Sequence, residues 1–153
     1  MEFGELLKQF LLDLQRLFRY KIVNSELTLP QILLITCIPD DGIDMTSLAQ
    51  QLGVDNSTLT RLVDVLIKRN WVEKSKDEHD KRITMLKLTY NGQEVQESVE
   101  ERIDLFGDTV YNSIPIEDRD EVKEILSKSN NNLWKGFNKV LNAPAIPLRV
   151  FDN

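Results

Sequence analysis

The chain has 153 residues, 41% of them hydrophobic and 29% charged, and a formal net charge of −6, which together fit one globular domain. Its single cysteine, Cys37, and single histidine, His79, exclude an intrachain disulfide, a cysteine-based zinc site and a metal centre built from several histidines of one chain. No run approaches the roughly 18 apolar residues of a membrane span, and the acidic N-terminus is unlike a signal peptide, so we expect a cytoplasmic protein with no membrane partner.

Two helices are predicted before the first turn. In the first, apolar residues recur every three or four positions from Phe3 to Phe18, which is the spacing of a wide apolar stripe on an α-helix. Pro30 suits the first turn of the second helix, which should end near Pro39. The sequence Asp40-Asp41-Gly42 then predicts a turn.

The next two helices are predicted to form a helix-turn-helix. Thr46 is the expected N-cap of a short helix that ends at Gly53, because the residue after a helix often has a left-handed backbone. A longer helix should run from about Asn56 to Arg69, with Asp55 or Asn56 as its N-cap. Two helices joined by a tight, glycine-containing turn are typical of this motif.

A hairpin and two further helices complete the predicted elements. The runs Trp71–Ser75 and Ile83–Leu88 are expected to be strands, joined by the polar loop 76–82. A long helix with apolar residues at helical spacing is expected after Asn91-Gly92. Pro115 is expected to begin the last helix.

The acidic net charge is unevenly distributed along the chain. Residues 56–89 carry eight basic and five acidic side chains, whereas residues 90–121 carry two basic and ten acidic ones. Salt screens these fields over a Debye length of roughly 8–10 Å, so a nucleic acid responds to one local face. The acidic total therefore does not exclude double-stranded DNA as a partner of residues 56–89.

The helix that begins near Asn56 has an apolar face and a polar face. The apolar face consists of Leu59, Leu62, Val63 and Leu66. The candidate DNA-binding residues of this helix are Asn56, Ser57, Thr58, Thr60, Arg61 and Lys68. Short hydroxyls allow close approach to a major groove, Arg61 can bind guanine or a phosphate, and Lys68 is placed for phosphates. Asp64 is expected to orient the Arg61 guanidinium. The alternative is an ordinary amphipathic surface helix.

The loop after this helix adds further basic candidates. Lys76, Lys81 and Arg82 surround it, and an arginine on a projecting loop can enter a narrow minor groove. Asp80 can accept hydrogen bonds from loop amides or hold Arg82. The alternative is a solvated, charged hairpin. A helix-turn-helix followed by a charged hairpin is more specific than either feature alone.

From Leu27 to Glu94, the sequence resembles the MarR family, the multiple-antibiotic-resistance regulators. The resemblance is carried by Leu29-Pro30-Gln31, by residues 45–53, 54–61 and 66–74, and most specifically by residues 80–89, DKRITMLKLT, which are similar to the family's D-x-R-x-x-x-x-x-L-T wing pattern. It implies a winged-helix dimer on a pseudo-palindromic operator, often released by a small phenolic or lipophilic ligand. Asn70 stands where the family usually has glycine, and asparagine tolerates a left-handed backbone best among the other residues.

The expected fold is mainly α, a winged helix-turn-helix with a two-stranded wing, flanked by N- and C-terminal dimerisation helices. We expect one domain over 1–153, with a DNA-binding lobe at 28–92 and a dimerisation lobe formed by 1–24 and 93–145. The apolar stripes outside the compact lobe need a partner surface. The candidate dimerisation residues are Phe3, Leu7, Phe10, Leu14, Leu126, Leu133 and Phe137.

The predicted function is that of a sequence-specific regulator of transcription, a homodimeric repressor without a cofactor. The rival from another class is a winged-helix scaffold whose basic face binds an acidic protein.

Candidates for a small-molecule effector pocket are Phe18, Trp71, Phe106 and Tyr111, although aromatic residues at helical spacing are more often core. We interpret Cys37 as a small buried hydrophobe and His79 as a solvated loop residue. No nucleophile elbow, catalytic pair of carboxylates or phosphate-binding glycine loop predicts an enzyme.

Overall fold

The computed structural model describes residues 2–23 and 26–128; the described residues up to Asp108 belong to one compact unit, and those from Thr109 onwards belong to a second. The helices are α1 (Phe3–Lys21), α2 (Leu29–Thr36), α3 (Met45–Leu52), α4 (Asn56–Lys68), α5 (Tyr90–Ser113) and α6 (Arg119–Lys128), and the strands are β1 (Ile43–Asp44), β2 (Val72–Lys76) and β3 (Thr84–Leu88). The mainly α prediction is therefore confirmed. None of the helices in these ranges combines the length and the apolar character needed to cross a bilayer.

The three strands form one antiparallel sheet with β3 in the centre. The predicted hairpin is confirmed, with Val72 opposite Leu88 and Lys76 opposite Thr84. The two-stranded prediction missed β1, whose two residues are too few to show an alternating pattern. Gly42, directly before β1, allows this strand to approach β3. Its φ is 90°, and a Cβ on Gly42 would lie 2.7 Å from the Leu86 carbonyl oxygen.

The core lies between α2, α3, α4 and the sheet. Its fully buried side chains include Leu34, Ile35, Leu48, Leu59, Val63, Leu66 and Leu86. The predicted apolar face of α4 is thus confirmed, and burying one such leucine stabilises the fold by about 1.5–3 kcal/mol. Because α4 is fixed through this face, its polar face is turned to solvent.

Helix α3 ends at the predicted glycine, but its N-cap is not the predicted residue. Gly53 ends α3 with a φ of 65°, as expected. The prediction of Thr46 as the N-cap is wrong, because the carboxylate of Asp44 accepts hydrogen bonds from Ser47 N at 2.8 Å and from Ser47 Oγ at 2.5 Å. The helix therefore begins at Met45, directly after β1.

The start of α5 differs from the predicted one. We expected Asn91-Gly92 to precede the helix, but α5 begins at Tyr90 and both residues lie in its first turn. Thr89 Oγ1 accepts a hydrogen bond from Gly92 N at 3.0 Å, which caps this turn. A Cβ on Gly92 would lie 1.8 Å from the Trp71 carbonyl oxygen, so the glycine permits close packing instead of forming a turn.

The start of α6 in the second unit also differs from the predicted one. Pro115 does not begin α6, because it opens a turn in which Asp118 N donates to the Pro115 carbonyl at 3.0 Å. The helix begins at Arg119, whose Nε donates to the Ile114 carbonyl at 3.0 Å. The Arg119 guanidinium also lies 5.3 Å from the ring centre of Tyr111.

Candidate nucleic-acid interface

The N-terminus of α4 is fixed by an aspartate cap. Asp55 Oδ1 accepts hydrogen bonds from Thr58 N and from Ser57 Oγ, both at 2.7 Å. One turn later, Thr60 Oγ1 donates to the Asn56 carbonyl at 2.8 Å. The hydroxyl protons of Ser57 and Thr60 are therefore used within the helix, and both exposed hydroxyls present acceptor lone pairs, which suit the amino groups of cytosine or adenine.

Arg61 and Lys68 lie exposed on the same face of α4 as these hydroxyls. Within the described ranges, no hydrogen bond or ion pair holds either side chain. The prediction that Asp64 orients Arg61 is wrong, because Asp64 Oδ1 instead accepts from Lys74 Nζ on β2 at 3.0 Å. This pair links α4 to the wing and leaves the Arg61 guanidinium available to an external acceptor.

The tip of the wing is shaped by an aspartate that the sequence analysis missed. Asp77 Oδ1 accepts hydrogen bonds from His79 N at 2.9 Å and from Asp80 N at 2.8 Å. Ile83 N donates to the Asp80 carbonyl at 3.0 Å and closes the turn. The two amide donors hold the pKa of Asp77 below its ordinary value. The position of Asp77 in a polar loop, three residues before Asp80, could have predicted that its side chain accepts hydrogen bonds from the loop amides.

Arg82 projects from this turn as predicted. Its side chain is 91% exposed, yet its Nε and Nη2 donate to the two oxygens of Asp80 at 3.0 and 2.8 Å. Asp80 also accepts from Arg82 N at 3.0 Å, so it binds both a loop amide and the guanidinium. These bonds hold the pKa of Asp80 below its usual range. Lys76 Nζ donates to Thr84 Oγ1 at 3.1 Å, and Lys81 is exposed.

The structure brings candidates from two segments to one cleft. The start of α4 and the wing enclose a cleft of about 760 Å³, lined by Asn56, Asp80 and Arg82 together with Thr46 and other residues. Lys68 lies at the opposite end of α4. The cleft therefore brings Asn56, at the start of α4, together with Asp80 and Arg82 of the wing, while Arg61 and Lys68 lie further along the exposed face of α4.

Among the described residues, two of the four aromatic effector candidates contact each other. Phe18 and Phe106 contact each other edge to face, with ring centres 5.6 Å apart. Trp71 lines a separate cleft of about 300 Å³ on the first unit, and Tyr111 belongs to the second unit. Cys37 packs half-buried against the core, and burial raises the pKa of its thiol, in keeping with a structural role.

The dimerisation candidates of α1 are exposed. The exposed fraction is 75% for Phe3 and 61% for Phe10, and Leu7 and Leu14 are exposed as well. Leu126 on α6 is also exposed, whereas Leu133 and Phe137 lie outside the described residues. Each described dimerisation candidate is thus an apolar side chain that remains exposed to solvent.

The Asp55 cap predicts a dependence of stability on pH. Its hydrogen bonds hold the pKa at about 2, against an ordinary value of 3.8. The stabilisation by the charged cap should be complete above pH 4 and be lost as the pH falls through about 2. Asn keeps an acceptor but cannot titrate, so urea unfolding should show the native protein more stable than Asp55→Asn above pH 4, with the difference shrinking below. The control Asp41→Asn removes a carboxylate that caps no helix, and an Asp55→Asn difference independent of pH would contradict the prediction.

The sequence model of the MarR family matches residues 27–84. The transcriptional regulator SarZ of Staphylococcus epidermidis is 26% identical over 110 residues, which cover 72% of this chain and 71% of SarZ. Apo MarR of E. coli is similar in structure, with a TM-score of 0.72 and 23% identity, over 84% of this chain and 96% of MarR. BpsR of Bordetella bronchiseptica gives a TM-score of 0.70 at 19% identity, over 85% and 94% of the two chains. The winged-helix fold is confirmed by these structures.

Proposed function

We propose that this chain, which belongs to the MarR family of transcriptional regulators, is a homodimeric repressor that binds a pseudo-palindromic operator in double-stranded DNA. The observation that carries this proposal is the cleft that the start of α4 shares with Arg82 of the wing, next to the exposed polar face of α4. Repression by occupying an operator requires no cofactor, and the proposal includes a cytoplasmic location for the protein.

In this proposal, the two arginines have different roles. Arg61 reads a base in the major groove, because it lies on the exposed face of α4 without a partner in the described ranges. Arg82 enters the minor groove at the flank, where a narrow groove attracts arginine. Asp80 positions it from the wing side through two side-chain hydrogen bonds. Two-fold symmetry then places the half-sites about one helical turn, roughly 34–36 Å, apart.

Homodimerisation is supported by the exposed apolar side chains of α1. Phe3, Leu7 and Phe10 lie at spacings of four and three, so they follow one face of the helix. Contiguous apolar surface of this kind is rare on a stable monomer. Analytical ultracentrifugation at micromolar concentration should give a dimer, and Phe10→Asp should shift it towards the monomer. A stable monomer of the native protein would overturn the dimer.

The experiment that tests DNA recognition is a selection of bound fragments from random DNA by the purified protein. We expect enrichment of one pseudo-palindrome, and the loss of that enrichment in an Arg61→Ala, Arg82→Ala double variant. If the native protein enriches no palindrome, the proposed function is wrong, and a scaffold whose basic face binds an acidic protein becomes the better account.

Lys68 should contribute mainly to the salt dependence of DNA binding. It lies at the C-terminal end of α4, better placed for backbone phosphates than for bases. Lys68→Ala should reduce the slope of log affinity against log salt by roughly one for each phosphate that the lysine neutralises. The measurement is fluorescence anisotropy over a salt series, with Lys123→Ala on α6 as the control. An unchanged slope in Lys68→Ala would show that this lysine does not bind a phosphate.

We also propose control by a small lipophilic or phenolic effector. Two structural relatives support this: the DNA binding of BpsR is regulated by 6-hydroxynicotinic acid, and PcaV of Streptomyces coelicolor, with a TM-score of 0.68 at 21% identity over 87% of this chain and 94% of PcaV, is known in complex with its natural ligand. If no such compound weakens operator binding by this protein, the repressor is constitutive.

A further inference from the structure

The start of α5 is joined by hydrogen bonds to the winged-helix lobe, which is formed by α2, α3, α4 and the sheet. Thr89 N donates to the Trp71 carbonyl at 3.0 Å, and Thr89 Oγ1 donates to the Asn70 carbonyl at 2.6 Å. Gly92 fits closely against the same Trp71 carbonyl. All these contacts are made with the short link between α4 and β2, so by themselves they form a pivot about which the lobe could turn on α5.

Gln96 makes a second polar connection, about 10 Å further along the axis of α5. Its Nε2 donates to the Ile35 carbonyl at 2.8 Å and to the Ile38 carbonyl at 2.9 Å, so both amide protons have an acceptor. Ile35 lies in the last turn of α2 and Ile38 lies just past its end, where helix carbonyls need donors from outside the helix. These two directional bonds prevent the end of α2 from turning about the pivot.

The apolar contacts of α5 with the lobe fix its orientation less tightly. Val99 is buried in the core, and Val95 packs against the core partly buried. Hydrophobic contacts are non-directional, so they tolerate a small rotation that would break a hydrogen bond. The angle between α5 and the lobe therefore depends on Gln96 more than on these valines.

Further along, α5 contacts the helix whose exposed apolar side chains support the homodimer. Phe18 of α1 and Phe106 of α5 lie edge to face, with ring centres 5.6 Å apart. In a dimer held through α1, each lobe is connected to the other by way of α1 and α5. The angle between α5 and its lobe then helps to determine the distance between the two copies of α4.

We infer that Gln96 is a positioning residue that fixes the spacing between the two half-sites to which the dimer binds; this inference rests on the proposed function. One base pair inserted between the half-sites moves the second by about 3.4 Å and rotates it by about 35°. With Gln96 in place, the lobes follow this movement only by breaking its hydrogen bonds to α2. Without them, each lobe turns about the contact between Thr89 and Trp71.

Fluorescence anisotropy on the selected operator, and on the same operator with one inserted base pair, tests this role. We expect the insertion to weaken binding by the native protein at least about tenfold, because protein or DNA must deform. In Gln96→Met, which keeps the length of the side chain and lacks a donor, the loss should fall to about threefold. Gln93→Met, at a half-buried position one turn earlier on α5, is the matched control and should behave as the native protein does. A loss of stability alone weakens binding to both operators alike and leaves their ratio unchanged.

The separation of the two lobes is measured without DNA by double electron–electron resonance. The exposed Gln51 of α3 is replaced by cysteine to carry the spin label, and Cys37 by alanine, so that each chain has one label. We expect a narrow distribution of distances between the two labels of a dimer. The distribution should be broader in Gln96→Met and unchanged in Gln93→Met.

The two measurements separate the role of Gln96 from DNA recognition itself. An insertion that weakens binding equally in the native and Gln96→Met proteins overturns the inference. So does a change in base preference within the half-site in Gln96→Met, because that would place the effect at the exposed face of α4. An enriched palindrome, with the insertion effect and the label distances of Gln96→Met unchanged, rejects only this inference. A broader distance distribution in Gln96→Met without an enriched palindrome rejects the proposed function and leaves Gln96 as the residue that orients the lobes.

Discussion

Replacing Gly92 with alanine should lower the free energy of unfolding by about 3 kcal/mol, at the upper end of what overpacking costs. The added Cβ would lie 1.8 Å from the Trp71 carbonyl oxygen and 2.8 Å from its carbonyl carbon, so backbone must move. That movement breaks or stretches the hydrogen bond from Thr89 N to the Trp71 carbonyl, which joins the residue before α5 to the residue before β2. Urea unfolding should therefore show a lower midpoint with an unchanged slope.

The matched control is Gly107→Ala, in the same helix. No described atom lies within 4 Å of a Cβ at this position, and alanine is about 0.8–1 kcal/mol more favourable than glycine in a helix interior. The two alanine variants should thus change stability in opposite directions. All proteins are compared at one concentration, because the stability of a dimer depends on it. A Gly92→Ala protein as stable as the native one would show that the α5–wing junction is not closely packed.

Local patterns predicted most of the fold because most of its elements have strong periodicity. The apolar face of α4 and the alternation of β3, with Leu86 and Leu88 buried and Lys87 exposed, follow directly from residue spacing. Gly92 was expected to precede α5, whereas it lies in the first turn of that helix. Its real role depends on Trp71, 21 positions earlier, and no local pattern contains that contact.

In the candidate interface, the exposed positions on α4 were predictable from the sequence, whereas contacts between separate segments were not. Helical spacing places Arg61 and Lys68 on the exposed face of α4. The partner of Asp64 was not predictable, because i+3 spacing suggested Arg61 whereas the angle between α4 and the hairpin brings Lys74 within 3.0 Å. The cleft beside Trp71 was missed for a similar reason. Its lining comes from three separate segments, and their distances are set by the fold.

Replacing Arg61 with alanine should weaken binding to the selected operator by about 1–3 kcal/mol for each half-site, or roughly 5- to 150-fold. It should also relax discrimination at one base position of each half-site, because a bidentate arginine contact specifies that base. Arg82→Ala should weaken binding with a smaller change in base preference, unless the flank is a narrow A·T tract. Arg16→Ala, which removes an exposed arginine of α1, should leave both properties unchanged and serves as the control.

Affinities are measured by fluorescence anisotropy on the selected operator and on a set of its single-base variants, at several salt concentrations. A base contact changes the ranking of the variant operators, whereas a phosphate contact affects binding to all of them alike and contributes to the salt slope. Far-UV circular dichroism and ultracentrifugation establish that each variant is folded and assembled as the native protein is. Native affinity in both the Arg61→Ala and the Arg82→Ala proteins would then show that the surface formed by α4 and the wing does not bind the operator.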